Sequence, residues 1–576
     1  MSMSVYHSKP WLKSYKLGPF ELASSMAPYP IKPLFSFLDE SVAKYGQRPA
    51  CLYGGRVIPY RELGELVNRL AAGLCSLGVG PGDRVATILN TSPQFVICDF
   101  AIQKTGAIHV PCSPLNKARE LTHEISQSQA RTVICLEAFK DVVQSIQSKS
   151  GFQDLILTAE EDFSAHQSES SIKPGGLQLR ELIERSEPRP PKVDINAMED
   201  LALLVFTGGA TGSPKGVMLT HCNLTANTLQ SLPWAMGPLE KGIIGKSSLL
   251  IGIPAFHSYG HWAIRASVYW GLQMIMIPDP RDIAGIAAQL KKSRPFMAPL
   301  VPTQYMRLLE HNIGRTNTSF TSGAAPLPPE VVVRFKKMTG MPITEAYGLT
   351  ETSPVTHFNL SSFAKITGFM YFEKKGSIGV PVVDTEVRLI DPASGSEVPQ
   401  GEIGELYIKG PQVMKGYWPT PGSGLADGWL PTGDLCRMDE DGYFFLVDRI
   451  KDMINVSGNK VYSTTVDEVL FEHPAVAQAV AIGLPDPERP GSERIKAFIV
   501  LRQENKEAVT ADDLIAYCRE RLAPCAVPKT IEFRKYLPMM VTGKLFKKQL
   551  REEELKKEKR SDRHEPPKTT GRGQST

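Results

Sequence analysis

Leu203-Leu-Val-Phe-Thr-Gly-Gly-Ala-Thr-Gly-Ser-Pro-Lys-Gly-Val-Met-Leu-Thr-His221 carries an apolar strand straight into three glycines, hydroxyls and a lysine. Gly208, Gly209 and Gly212 permit backbone conformations closed to other residues and turn N–H groups toward an anion, while Thr207 and Thr211 add donors and Lys215 adds charge. The stretch reads as a phosphate cradle. A Walker loop needs Gly, four residues, Gly and then directly Lys and Ser or Thr. Ser213 and Pro214 intervene here before Lys215, and Gly216 follows it, which argues against a nucleoside triphosphatase loop. A merely flexible turn would account for the glycines but not for the hydroxyls and lysine set among them.

On either side of this segment the chain alternates helix and strand. Tyr60 to Leu77 places Leu63, Leu66, Leu70 and Leu74 at spacings of three and four, the stripe of an amphipathic helix, and Phe35 to Ala43 reads likewise. Arg84 to Leu89, Ala107 to Pro111 and Thr132 to Leu136 are short apolar runs suited to buried strands, with a polar helix around Glu120 to Gln127 before the last. That βαβ rhythm predicts the α/β class with a mainly parallel sheet. A second α/β series runs from Ala202 to Met341, and a β-rich stretch follows from Gly376 to Val447. Beyond Asp452, a helix from Ser463 to Phe471 and strands from Val476 to Ile482 and Arg494 to Leu501 form a small α+β domain. Glu160 to Asn196, rich in Glu, Ser, Pro and Lys, reads as an irregular connector, and the highly charged tail from Arg551 is expected to be disordered.

Composition narrows the function classes. The 576 residues, 42% of them hydrophobic, suffice for several cores. Lys and Arg number 65 against 61 Asp and Glu, so a net charge of +4 gives no support for nucleic acid as the main partner. Nine scattered cysteines without a Cys-x-x-Cys pair disfavour structural zinc and suit reduced thiols in a cytoplasmic setting. Met1 to Lys16 lacks the apolar core of a secretory signal, no apolar stretch approaches the ~20 residues that cross a bilayer, and the carboxyl end is not a peroxisomal address. Membrane contact is therefore expected to be peripheral at most.

The glycine segment resembles the phosphate-binding signature of the adenylate-forming enzymes, the superfamily of acyl-CoA synthetases, firefly-type luciferases and peptide-synthetase adenylation domains. Five further blocks follow in that superfamily's order, so the likeness runs from about Pro33 to Leu550. Glu345-Ala-Tyr-Gly-Leu-Thr-Glu351 looks like its second signature. By resemblance Glu345, Ala346, Tyr347 and Gly348 face the nucleotide, with Tyr347 stacked on adenine, Thr350 on the α-phosphate and Glu351 holding magnesium. The residue types agree: an aromatic face suits a purine and a carboxylate suits a hard cation. Thr321-Ser-Gly-Ala-Ala-Pro326 matches a pocket-lining stretch, with Gly323 and Ala324 beside the adenine. Gly404 to Trp418 and Leu430-Pro-Thr-Gly-Asp434 match two more blocks; Asp434 then inherits the ribose hydroxyls, Arg449 a second ribose contact and Lys451 the hinge between domains.

Leu537 to Leu550 resembles the last signature, in which the lysine after glycine, Lys544, is the adenylation catalyst. A mobile ammonium there offsets repulsion between two anions and the charge growing in the transition state. Gly458, opening a loop before a helix, matches the segment that meets pantetheine during thioester formation, and His257 sits where the superfamily lines its acyl site. Two departures stand out: Ala210 replaces the usual Ser or Thr of the cradle, and Met539 with Met540 replaces polar residues before the final glycine.

The resemblance implies a large domain over 33–450 built of α/β subdomains and a β-rich subdomain, and a small mobile α+β domain over 451–550, after an extension (1–32) and before a charged tail (551–576). It implies a ligase that uses ATP, Mg2+ and coenzyme A to convert a carboxylic acid first to an acyl-adenylate and then to a thioester. Phe206 to Gly209, Pro278 to Asp282 and Ala526 to Arg534 look most like the long-chain fatty acid CoA ligases. Trp234, Trp262, Trp270, Met274 and Met276 fit either an alkyl tunnel or ordinary core. Aryl acids, a carrier-protein thiol as acceptor, and a non-catalytic binder of acyl groups or nucleotides all stay open at this point.

Overall fold

The computed structural model describes residues 5–17, 20–166, 176–190, 192–207, 214–359, 374–502, 509–538 and 547–561. The chain divides into two compact units, Met1–Thr432 with Cys436–Leu446, and Gly433–Leu435 with Val447–Thr576.

Two nine-stranded sheets organise the first unit. In the first sheet, Leu201–Thr207, Ile108–Cys112, Arg84–Ile88, Thr132–Leu136, Asp154–Thr158 and Leu177–Gln178 lie parallel in that spatial order. The expected parallel strands are therefore present, and Ile108–Cys112 and Thr132–Leu136 are buried at every position, as strands covered on both faces must be. Past Leu201–Thr207 the sheet turns antiparallel through Lys215–Thr220, Gly416–Tyr417 and Thr420–Pro421. The second sheet is parallel from Ile343–Gly348 through Ser319–Ser322, Met297–Leu300, Ser248–Ile251 and Gln273–Met276 to Pro49–Tyr53. A four-stranded sheet, Glu386–Ile390, Gly404–Lys409, Leu430–Met438 and Phe444–Arg449, supplies the expected β-rich part.

Two helices carry no polar face: Pro93–Lys104 is buried along its whole length, and Ser258–Tyr269 along all but its last residue. Tyr60–Ser76, in contrast, buries the Leu63, Leu70 and Leu74 stripe and leaves Arg61 and Glu65 outside. Trp234, Trp262, Trp270, Met274 and Met276 are all packed in the main core, the commoner fate of such residues.

Two expectations are corrected. The stretch from Glu160 to Asn196 contains the edge strand Leu177–Gln178 and the helix Leu179–Arg185, because Leu179, Leu182 and Ile183 form a short buried stripe that the surrounding polar composition masks. Within the tail, 551–561 is helical, since Lys547–Ser561 buries Leu550 and Glu554 one turn apart, while the expectation for 562–576 lies outside the described residues. The amino-terminal segment is also integral to the first unit. Trp11 is 1% exposed, the Tyr15 hydroxyl donates to the Pro381 carbonyl at 2.8 Å, and the Tyr6 hydroxyl donates to that of Val398 at 3.0 Å.

In the second unit, Val476–Pro485 and Glu493–Leu501 pair antiparallel, Thr530–Phe533 adds a parallel strand, and Ser463–Glu472 packs against the sheet. All nine cysteines are free. Among the described residues no helix is long and apolar enough to cross a membrane.

Candidate active site

The glycine segment links two antiparallel strands whose ends pair Thr207 with Lys215. A Walker loop instead leads from strand to helix, so topology joins spacing in separating the two. Gly208, Gly209, Ala210, Thr211 and Gly212 lie outside the described residues; Thr207 is half-buried and Lys215 exposed. Beside Lys215 opens a cleft of about 330 Å³ in which the His123 Nε2 lies 2.9 Å from the Pro214 carbonyl.

Lys215 is tied to the second signature through one side chain. Its ammonium stands 5.0 Å from the centre of the Tyr417 ring, and the Tyr417 hydroxyl donates to Glu351 Oε1 at 2.8 Å. Tyr417 reaches this place because Gly416–Tyr417 pairs with Lys215–Thr220, setting Tyr417 opposite Val217. Burial and the Glu351 carboxylate push the Tyr417 hydroxyl well above its ordinary range, so it stays protonated and a donor. Three blocks more than 60 residues apart in the chain thus converge.

The residues expected beside the adenine leave the second sheet at the carboxyl ends of neighbouring parallel strands. Ser319–Ser322 runs into Gly323 and Ala324, and Ile343–Gly348, paired through Ser322 and Glu345, carries Glu345, Ala346, Tyr347 and Gly348. Open α/β sheets bind ligands at such ends. Gly323 is buried, and a Cβ there would come to 3.4 Å from both the Ala346 carbonyl and the Tyr259 ring. Ala324 holds φ at 72°, a left-handed conformation costly for a side-chain residue and concentrated at functional sites. Tyr347 is half-buried and meets His357 edge-on at 5.6 Å; burial lowers His357 to about 3, so this neighbour is uncharged.

Thr350 and Glu351 open a single helical turn, Thr350–Thr352. Thr350 is buried, with its hydroxyl 3.1 Å from that of Ser258, the first residue of the helix that His257 caps. The half-buried His257 accepts from the Tyr259 amide at 3.4 Å, so capping accounts for it in this arrangement.

In the second unit, Asp434 is 2% exposed and Arg449 Nε lies 3.0 Å from its Oδ1. Lys451 is exposed on the short turn Ile450–Asp452. Gly458, with φ at 87°, follows Ser457 at 51° in the two-residue turn between Ile454–Val456 and Asn459–Val461, a pair of left-handed residues that suits a tight hairpin. Lys544, Met539 and Met540 fall outside the described residues. Lys547, three residues after Lys544, is fastened to Ser463 Oγ at 2.7 Å and Asp467 Oδ2 at 2.8 Å.

Comparison with known proteins fits this geometry. The AMP-binding enzyme family matches residues 38–418, and the AMP-binding enzyme C-terminal domain matches 465–544. The chain belongs to the AMP-binding enzyme family. It is 35% identical to a long-chain-fatty-acid–CoA ligase of Bacillus subtilis (strain 168), over 95% of this chain and 98% of that one. Among solved structures, ATP-bound MatB from Rhodopseudomonas palustris is similar with TM-score 0.80 and 26% identity, covering 91% of this chain and 99% of that one. A benzoate CoA ligase from Burkholderia xenovorans LB400 follows with TM-score 0.78 and 26% identity, over 90% and 100%. This AMP-binding enzyme is an ATP-dependent, AMP-forming acyl-CoA ligase whose reaction takes ATP, Mg2+ and coenzyme A. An idle binder is thereby set aside.

Sequence reasoning passed over Tyr417 and Ser258. Tyr417 lies inside the Gly404–Trp418 block, but only the strand pairing reveals that it braces Glu351. Tyr417→Phe removes a hydrogen bond to a carboxylate worth about 1.5–3 kcal/mol of stability, so the melting temperature should fall by a few degrees, and, with Glu351 expected at the magnesium, the KM for Mg-ATP should rise several-fold. An unchanged KM in steady-state AMP release would show that Glu351 does not depend on it.

Proposed function

We propose that this ligase activates long-chain fatty acids. The observation that carries the reading is the likeness, over nearly the whole of both chains, to a ligase named for that substrate. In the first step the fatty carboxylate attacks the α-phosphorus of ATP, the new acyl–oxygen–phosphorus linkage forms, and the bond to pyrophosphate breaks. Thr350 donates to the α-phosphate, Tyr347 stacks on the adenine, and Gly323, Ala324, Glu345, Ala346 and Gly348 bound the base. Thr207, the backbone of Gly208, Gly209, Thr211 and Gly212, and Lys215 take the charge of the departing pyrophosphate. Asp434 accepts from the ribose hydroxyls, with Arg449 beside it, and Lys544 supplies an ammonium to both anions.

Glu351 suits magnesium, since its oxygens are hard donors and Tyr417 fixes the orientation of one of them. Bound there, the ion neutralises charge on the triphosphate. In the second step the CoA sulfur displaces AMP from the acyl carbon, with Gly458 on the path of pantetheine, His257 at the acyl site and Lys451 as the hinge of the change between steps.

An aryl acid as substrate has its own support in the structural likeness to a benzoate CoA ligase. The test is AMP release with CoA across short, medium and long fatty acids, benzoate and coumarate. The fatty-acid reading expects the highest kcat/KM at long chains. A preference for an aryl acid would replace it, and thioester formation only on a holo carrier protein would remove CoA as acceptor.

A further inference from the structure

The two buried helices of the first unit, Pro93–Lys104 and Ser258–Tyr269, meet at charged side chains to which the reaction above gives no role. Asp99 is fully buried. Its Oδ1 lies 2.7 Å from His109 Nδ1, accepts from Gln103 Nε2 at 2.9 Å, and lies 3.1 Å from His261 Nε2, off the line of an ideal hydrogen bond. On the far side of His261, Arg265 Nη1 stands 3.0 Å from His261 Nδ1. Arg265, 1% exposed, then donates from Nη2 to the Ser353 carbonyl at 2.6 Å and from Nε to Thr228 Oγ1 at 3.4 Å.

The donor inventory fixes the protons. A guanidinium has no lone pair, so His261 Nδ1 must accept, and the proton of the neutral ring sits on Nε2, facing Asp99. Burial lowers His261, which keeps that ring uncharged. Burial by itself would raise Asp99, yet His261 and His109 hold its carboxyl well below the usual range. The result is a carboxylate and a guanidinium balanced through one neutral imidazole.

Asp99, His109 and His261 have ligand atoms within 4.8 Å of one another, as a metal site would. The chemistry opposes a cation: His261 Nδ1 is engaged by Arg265, its Nε2 proton faces Asp99, and the guanidinium charge lies one ring away.

Ser353 is the informative end of the chain. It follows directly on Thr350–Thr352 and holds φ at 70°, a conformation that persists only where its surroundings over-determine it. We propose that Asp99, acting through His261, fixes Arg265 so that its guanidinium pins the Ser353 carbonyl and thereby sets the position of Thr350 and Glu351 for adenylation. Arg265 is a positioning residue. The inference rests on the roles given above to Thr350 and Glu351.

The test compares two half-reactions, acid-dependent exchange of pyrophosphate into ATP and thioester formation from supplied acyl-adenylate. Arg265→Met should lower exchange by about 10²-fold, the cost of misplacing a reacting group by roughly 1 Å, and lower thioester formation, whose adenylate no longer carries the triphosphate, far less. That substitution strands Asp99 and lowers stability, so Asp99→Asn with Arg265→Met is measured beside it. Removing both buried charges should restore the melting temperature and leave exchange low. Recovery of exchange together with stability, or equal loss of both half-reactions, would reduce the pair to charge balance and overturn the proposal. Thr350→Ala separates the two levels. Full exchange in Arg265→Met beside a crippled Thr350→Ala overturns this inference alone, whereas full exchange in Thr350→Ala overturns the site reading and this inference together.

Discussion

Lys544→Ala is expected to cut acid-dependent pyrophosphate exchange by about 10²- to 10³-fold, the usual cost of deleting one group aimed at transition-state charge. Thioester formation from supplied acyl-adenylate should survive, because displacement of AMP by a thiol no longer joins a carboxylate to a polyphosphate. The motivation is the Thr542-Gly543-Lys544 context at the family's last signature. Neighbouring lysines provide the contrast. Lys548 is exposed, so Lys548→Ala should be silent, whereas Lys547 is bonded to Asp467 and Ser463, so Lys547→Ala should cost stability in both half-reactions alike. Equal damage to both steps by Lys544→Ala would strip it of the assigned role.

Gly348→Ala is the second large effect. A Cβ on Gly348 would overlap the carbonyl oxygen of Pro354, backbone that cannot swing aside. That same oxygen accepts from the Leu349 amide at 3.1 Å and from the Thr352 hydroxyl at 2.6 Å, so moving it disturbs the turn bearing Thr350 and Glu351 from both sides. Overpacking of this kind costs about 1–3 kcal/mol of stability, and a shift of roughly 1 Å costs about 10²-fold in rate. A variant that keeps wild-type exchange and melting temperature would show that the backbone at Pro354 yields without disturbing the turn. Gly323→Ala is the mild comparison, since its Cβ would meet neighbours only at ordinary contact distance.

The sequence made the α/β class readable because periodicity and burial agree in the long elements. The leucine stripe of Tyr60–Ser76 and the unbroken apolar run of Thr132–Leu136 each have one comfortable environment. Short elements lost their signal to composition, as Leu179–Arg185 did among prolines and glutamates. The site divided along similar lines. Residues within one signature, such as Tyr347 to Glu351, announced themselves through the types that nucleotide chemistry needs. Tyr417 on Glu351, Ser258 on Thr350 and Arg265 on Ser353 join positions 66, 92 and 88 residues apart, and only strand pairing and helix packing bring such partners together.

The amino-terminal segment has a practical bearing. Trp11 meets Phe444 edge-on, and a Cβ on Gly442 would strike the Trp11 backbone, so the first unit is moulded around that indole. Trimming the chain to start at the catalytic body would pull out a stopper rather than shed a loose leader, leaving an aromatic-sized hole beneath the β-rich layer. Recombinant versions shortened there should clump on concentration.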